Sequence, residues 1–460
     1  MNHLTAFSLS LQRQMEKRQL AMDSEIKKAL SEIRIRSLLH QSNIRKMRGY
    51  GTISLLYILI LLPFMRKHLS SLWSNDILLR HFVARKDTYY RFLNHERFNW
   101  RKFVYLVACR IIAIVDQAPL RKKVLIADDT IAIRTGQNIE MVSYHFDHKV
   151  KRSVLGHQCL QLGYHNGQHF FPIDMAFHTS TRRPNQRHRM LDRRTNGWRR
   201  RTESFRKKTD VLIEMLKRAW AQGFDASFVL FDSWFAHDKV IADILAIGYG
   251  VICRLKAGRN KYLYQGQSYT LKQLWQRHAK KKTQWLSQFN AKGVCLNVKC
   301  PKAGDVRILF VSNGKKQWHA FLSTDLELEP SEILGYYALR WAVEIFFKDG
   351  KQMLYLGKEQ SETFDAAVAC YSLVMIRYLL LVYILNKYQL TGPMGPLFRD
   401  LTELYLQLYL TEKIWAHIKE IMIVSSELLW PEMEPDKFLH LIDIVEHVIL
   451  NQVAELTAKL

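Results

Sequence analysis

The sequence predicts an α/β fold: a mixed β-sheet interrupted by a β-rich insertion and flanked by helical regions at both ends. Three observations predict it. Short apolar runs bounded by acids or turn residues alternate with helical patterns between 123 and 255. Residues 256–328 switch to short alternating runs with Gly and Asn turns and basic spots at Lys280–Lys282. The two ends, 1–118 and 329–460, carry helical patterning without strand signals. At 460 residues the chain has room for two or three packed units.

Residues 1–48 are basic, free of proline and amphipathic, and 49–118 continue helical, with Ser74 and Asp76 as caps before Ile77. The segment from Arg85 to Phe103 mixes cations with aromatics, as phosphate contact and base stacking require, or as an ordinary amphipathic helix does. Val124–Ala127 is a buried-type strand that ends on Asp128-Asp129-Thr130. Val154–Tyr164 and Gln168–Phe177 form a hairpin about the turn dipeptide Asn166-Gly167. A helix over about Thr202–Gln222 precedes the strand Ser227–Phe231, which ends on Asp232. A helix (Asp238–Ile247) and a strand (Val251–Leu255) complete this part. Glu329-Pro330-Ser331 caps one long helix running to about Tyr355, and the remainder is helical. The expected domains are thus 1–118, 119–255, 256–328, 329–358 and 359–460.

Charge narrows the function. Sixty-eight Lys+Arg against 42 Asp+Glu give +26, a self-repelling surplus best explained by a polyanionic partner. Six cysteines without a Cys-x-x-C pair exclude a disulfide framework and a zinc ribbon, and fit a reducing compartment. No h-region of a signal peptide is visible near the N-terminus. Two apolar stretches, Gly49–Met65 and Ala366–Leu385, read as buried core helices: the first ends at Pro63 and the second carries Arg377 at its centre. A soluble chain without a membrane partner is the expectation. No phosphate-loop motif occurs, which argues against nucleotide hydrolysis, and the six histidines from His145 to His178 show no zinc-ligand spacing.

Two strands that each deliver an acid to a sheet edge are the first chemical signal. Carboxylates alone would repel a phosphate polymer; divalent cations between them invert the local charge, which is the physical case for magnesium. A second signal lies on the helix after Pro330. Tyr337, Arg340, Glu344, Lys348 and Lys351 follow steps of three and four residues and share an arc of roughly 80°. Arg340–Glu344 and Glu344–Lys348 could also simply pair along the helix.

With these residues the chain resembles the DDE transposases of insertion-sequence family four. Their mark is the Y-(2)-R-(3)-E-(6)-K signature, matched by Tyr337, Arg340, Glu344 and Lys351, with Trp341 directly after the arginine. The first acid of that family lies in a strand-end D-x-T, matched by Asp128-Asp129-Thr130; this register favours Asp128 and leaves Asp129 as the alternative. The resemblance implies an RNase H-like core that includes the hairpin, and a β-rich insertion corresponding to 256–328. It implies catalytic Asp128, Asp232 and Glu344 holding two magnesium ions about 4 Å apart, with manganese as substitute. It further implies cut-and-paste DNA transposition through a hairpin intermediate, with no covalent protein–DNA bond. Partners would be double-stranded DNA, as terminal inverted repeats and target, and a second copy in a synaptic homodimer, in the cytoplasm at the bacterial nucleoid. Arg340, Lys348 and Lys351 would neutralise phosphates and Tyr337 would contact DNA. An insertion-domain tryptophan holding a flipped base would correspond to Trp318, with Trp285 as competitor. The alternatives are a metal-dependent nuclease, or a domesticated DNA-binding protein, that no longer joins ends.

The stretch His178–Lys208 holds twelve Lys/Arg and two acids. Arg182, Arg183, Arg187, Arg189, Arg193, Arg194 and Arg199 read as a DNA clamp, continued by Arg200, Arg201, Arg206, Lys207 and Lys208. Such contacts give affinity and salt dependence more than sequence preference.

Overall fold

The computed structural model describes residues 25–46, 48–73, 84–116, 122–147, 150–185, 189–312 and 317–406, together with isolated positions between 418 and 448. Ser74, Asp76 and Arg187 lie outside the described residues. The chain divides into two compact units, one of 35–45 with 93–386, the other of 1–34, 46–92 and 387–460.

The larger unit is built on one 12-stranded mixed sheet. Its core strands are β1 (Val124–Ile133), β2 (Ser143–Asp147), β3 (Arg152–His165), β4 (Phe170–His178), β5 (Phe228–Phe231) and β6 (Gly250–Leu255). The β3–β4 hairpin turns at Asn166-Gly167 as expected. Gly167 has φ +90°, and the Asn166 side chain accepts from the backbone N–H of Gln168 and His169. β2, which the sequence reading passes over, pairs with the first half of β3.

β1 differs from expectation. It does not stop at the acids but runs on to Ile133, because its antiparallel ladder with β3 is continuous from Val124 to Ile133. The ladder on its other edge is what ends early: the parallel pairing with β5 covers only Val124–Ile126. The acids therefore sit mid-strand but just beyond the parallel ladder. Gly156 of β3 is needed where the strands approach, since a Cβ there would lie 2.4 Å from the carbonyl oxygen of Ala132.

The insertion is β-rich as expected: β7 (Lys261–Tyr264), β8 (Gln267–Thr270), β9 (Gln284–Leu286), β10 (Ala291–Cys300), β11 (Gly304–Ser312) and β12 (Trp318–Ser323). It is no separate sheet. β12 pairs antiparallel with β6, so the order β2-β3-β1-β5-β6-β12-β11-β10-β7-β8 is unbroken.

Helices precede, interrupt and follow these strands along the chain. α1 (Glu25–Glu32), α2 (Ile35–Gln41), α3 (Thr52–Leu61), α4 (Lys86–Leu93) and α5 (Trp100–Val115) precede the sheet. The helix expected over Thr202–Gln222 is two, α6 (Asn196–Ser204) and α7 (Lys208–Ala221), with Thr195 capping the first through the N–H of Trp198. α8 (Asp238–Ile247) links β5 to β6. The long helix expected after Pro330 is also two, α9 (Pro330–Ala338) and α10 (Trp341–Gln352). Glu329 and Glu332 close a capping box at its start. Between them the bonding tightens to i→i−3: Leu339 N–H to Tyr336 O, Arg340 N–H to Tyr337 O. Arg340 sits in that tightened turn.

α11 (Phe364–Lys387) is long and apolar enough to cross a membrane by length and composition, but 94% of its most apolar window is buried inside the protein. Arg377, at its centre, is buried and donates to the carbonyl of Leu354. Its composition is that of a core helix, as the sequence reading expects. In the smaller unit, Tyr388 and Lys387 bond Glu25 and Glu32 of α1, and Phe64 packs on Phe398 with ring centroids 4.9 Å apart.

Candidate active site at the end of the parallel ladder

Strand register brings the first two acids together. Ile126 pairs with Leu230; Asp128 lies two residues further along β1, and Asp232 follows the last residue of β5. The negative charges of Asp232 and Asp129 both act on Asp128. The Asp232 carboxylate is held by its own turn, accepting from the N–H of Trp234 at 2.9 Å.

Glu344 joins them from above through Arg340. One guanidinium nitrogen donates to Asp128 Oδ2 at 2.8 Å and another to Glu344 Oε1, so one cation ties β1 to the first turn of α10. The guanidinium also stands 5.6 Å from the centre of the Tyr337 ring, which packs edge-on against Phe321 of β12. Burial pushes the Tyr337 hydroxyl up to about 12. Arg340, rather than Lys348, forms the ion pair with Glu344. Lys348 and Lys351 are exposed.

Successive strand residues point to opposite faces, and this separates the doubled acids. Asp128 faces Arg340, whereas Asp129 is bonded on the other face by Lys208 at the start of α7. The Lys208 ammonium also lies 3.9 Å from the centre of the exposed Trp234 ring. His145 and His178 lie near this second cluster, with their rings 6.3 Å apart. Burial holds His145 down to about 4, so it is neutral.

Asp128 is electrostatically uncomfortable. Burial is the largest cause; Arg340 opposes it, Asp129 and Asp232 add to it, and the carboxyl is pushed up to about 7. A folded-state value raised above 3.8 means that the folded chain binds this proton more tightly than the unfolded one. Its effect on stability is therefore favourable at acid pH and is lost as pH rises from about 4 to about 7. Metal-free protein should melt at higher temperature at about pH 5 than at about pH 8 through this group, and Asp128→Asn should flatten that difference. Adding magnesium at the higher pH should raise the melting temperature of the wild type and leave Asp128→Asn unchanged.

Among the described residues no group of three His, Cys, Asp or Glu side chains stands positioned to hold a metal ion. The donor chemistry nonetheless fits a hard divalent cation: carboxylate oxygens only, with the charge of Asp232 adding to the proton affinity of Asp128. The positive charge they require is supplied here by the Arg340 guanidinium, which occupies the position between Asp128 and Glu344.

The basic stretch divides. Arg182, Arg189, Arg193, Arg194 and Arg199 are exposed, and Arg183 stands 5.1 Å from the centre of the Phe205 ring. Arg194 is paired to Asp192 through both oxygens. Arg201 is no surface cation at all: it is buried between Glu140 and Asp365. Lys208 is engaged by Asp129. Trp318 is half-buried and stacks on Trp275 at 5.6 Å and 20°, beside Phe310, while Trp285 is exposed.

Sequence reasoning missed that Arg340 bridges two acids and that Lys208 takes a third. Strand alternation applied to Asp128-Asp129 would have separated the two faces; nothing local marks Lys208 as the partner.

Residues 75–286 match the DDE superfamily endonuclease family, and residues 189–389 match the archaeal ISC1217 transposase family. The first match contains Asp128 and Asp232, the second Asp232 and Glu344. No curated protein matches the chain. DDE superfamily enzymes are generally dependent on divalent metals. Together with the mixed α/β sheet, the two matches support a transposase-type DDE nuclease that acts on DNA.

Proposed function

We propose that the chain is a cut-and-paste transposase in which Asp128, Asp232 and Glu344 are the catalytic acids, as its likeness to insertion-sequence family four suggests. The observation that carries this reading is the Arg340 bridge, which holds Asp128 and Glu344 on one cation beside the charge of Asp232. The ion pair of Asp129 with Lys208 supports Asp128 as the first acid.

The three carboxylates would hold magnesium, or manganese in its place, which when bound activates the attacking oxygen and stabilises the leaving one. Arg340 then has to leave its carboxylates, and its planar fork is freed for a phosphate next to the cleaved bond. Tyr337 is too buried and too hard to ionise to be a nucleophile; it orients Arg340 through its ring. Hydrolysis breaks the P–O3′ bond at the element's end and leaves a 3′-OH. That hydroxyl attacks a second phosphodiester, forms a new P–O3′ bond and releases another 3′-OH. Exposed Arg182, Arg189, Arg193 and Arg199 grip flanking phosphates. Residues 1–118 recognise the terminal repeat, and two copies form the synapse.

The test is a joining assay with pre-cleaved ends taken from the DNA flanking the gene. Joined product that requires a divalent metal is the expected result. Cleavage without any joined product would favour the nuclease reading, and no metal-dependent reaction at all would remove both.

A further inference from the structure

The ladder that aligns the first two acids stops short of them. β1 and β5 pair only as far as Ile126 and Leu230, so the segments carrying Asp128 and Asp232 run on without strand pairing to each other. Arg340 ties Asp128 to Glu344, but among the described residues no ion pair reaches Asp232. The two carboxylates repel each other, and like charges drive such segments apart unless another contact tethers them.

A tether lies on the far side of β1. Asp129, next to Asp128, is ion-paired with Lys208, and the Lys208 ammonium lies 3.9 Å from the centre of the Trp234 ring. The backbone N–H of Trp234 donates to Asp232 Oδ1 at 2.9 Å. The Trp234 ring is braced edge-on by Phe235, 4.7 Å away, which is itself buried against Phe231 of β5. One ammonium thus joins the neighbour of the first acid to the turn that holds the second.

That ammonium stands in an unfavourable place. Lys208 is the first residue of α7, where the helix dipole opposes a cation, and its side chain is only 10% exposed. His145 and His178 bring no second cation to Asp129: burial, with the charge of Lys208 contributing, holds both below the ordinary value, so both are neutral near pH 7. An apolar side chain would serve packing here as well as a buried ion. Only a cation pairs with Asp129 and faces the Trp234 ring at once.

We infer that Lys208 is a positioning residue for the acid pair: through Asp129 and Trp234 it fixes the Asp232 turn against β1, and so sets the separation at which Asp128 and Asp232 share a divalent cation. In this role it touches neither substrate nor metal. The inference rests on the reading of these two acids as the metal-holding groups of a DNA-cutting enzyme.

The test reads metal binding as well as cleavage, with manganese as the probe and the full chain as the protein. Free manganese is followed by its electron paramagnetic resonance signal, and cleavage is measured across a range of metal concentrations. Lys208→Met keeps the stem and removes the charge. It should weaken manganese binding about tenfold, raise the metal concentration for half-maximal cleavage by the same factor, and change the rate at saturating metal far less. Lys208→Arg keeps the cation and should restore most of the affinity. Trp234→Leu breaks the same tether from an exposed position, so it spares the fold and should weaken binding alike. Adding it to Lys208→Met should cost little more, as for two ends of one bridge. Wild-type manganese binding in both Lys208→Met and Trp234→Leu would overturn the inference, as would a lower maximal rate with unchanged metal dependence. If wild type binds manganese, loses it in Asp128→Asn and yet cuts no DNA, the enzymatic reading fails while the binding series decides the role of Lys208. If wild type cuts DNA and the variants keep its metal dependence, only the role of Lys208 fails. A wild type with neither manganese binding nor metal-dependent cleavage removes both.

Discussion

Glu344→Gln should lower both DNA cleavage and end joining by about a thousandfold while leaving the melting temperature within a degree or two of wild type. The amide keeps the size of the side chain and removes only its charge. Glu344 is half-exposed at the start of α10, so little packing depends on it. Among the described residues its one ion-pair partner is Arg340, which retains Asp128. Asp232→Asn should behave alike, since its turn can still accept from Trp234. Asp129→Asn is the informative contrast. Its carboxylate faces Lys208 on the far side of the sheet, so the expected loss is under about tenfold. Cleavage kinetics of the three variants, measured beside thermal melts and DNA binding, decide the matter. A Glu344→Gln enzyme of wild-type rate would sink the three-acid site, and a dead Asp129→Asn beside an active Asp128→Asn would transfer the first acid to Asp129.

Arg201→Ala should destabilise the larger unit by about 3–5 kcal/mol and lower its melting temperature by roughly 10 °C. Arg201 donates to both oxygens of Glu140, at 2.8 and 2.7 Å, to both oxygens of Asp365, at 3.1 and 2.8 Å, and to the carbonyl of Gly197. Glu140 also accepts from the backbone N–H of Arg189 and Phe364, and these donors together hold its carboxyl below the usual range. One buried guanidinium therefore joins the loop after β1, helix α6 and the start of α11. Its removal strands two carboxylates out of water, which costs more than the pair itself contributes. Adding Glu140→Gln and Asp365→Asn to Arg201→Ala should recover part of the loss, because the uncompensated charges are then gone. Equal melting temperatures for wild type and Arg201→Ala would contradict this account. DNA affinity at low temperature should change little, since Arg201 is not on the surface.

That contrast bears on what a sequence displays. The candidate acids were legible because chemistry left a pattern: two apolar runs, each followed by Asp, and a stripe of Tyr, Arg and Glu at helical spacing. The hairpin was legible because Asn166-Gly167 has few other uses. Arg201 was not, because a run of arginines looks the same whether one member turns inward or all face solvent; the partners that bury it, Glu140 and Asp365, are far away in the chain. The extent of β1 was hidden for a similar reason. Strand-end reasoning followed the apolar run, whereas the length of the strand is fixed by β3, whose ladder lies thirty or so residues downstream. The break at Leu339–Arg340 gave no signal either, since neither residue disfavours a helix and only the hydrogen-bond geometry tightens there.

The unbroken sheet makes the protein a ruler. Adjacent strands stand about 4.8 Å apart, so two steps, roughly 10 Å, separate the strand of Asp128 from β6, and a third reaches β12. No hinge lies along this scale, because each division is a ladder of hydrogen bonds. The reach from acids to insertion cannot drift by fractions of an ångström as loops lengthen or shorten. It can change only by whole strands, in quanta, which leaves the outer strands of the insertion free to diversify while the spacing at the centre stays fixed.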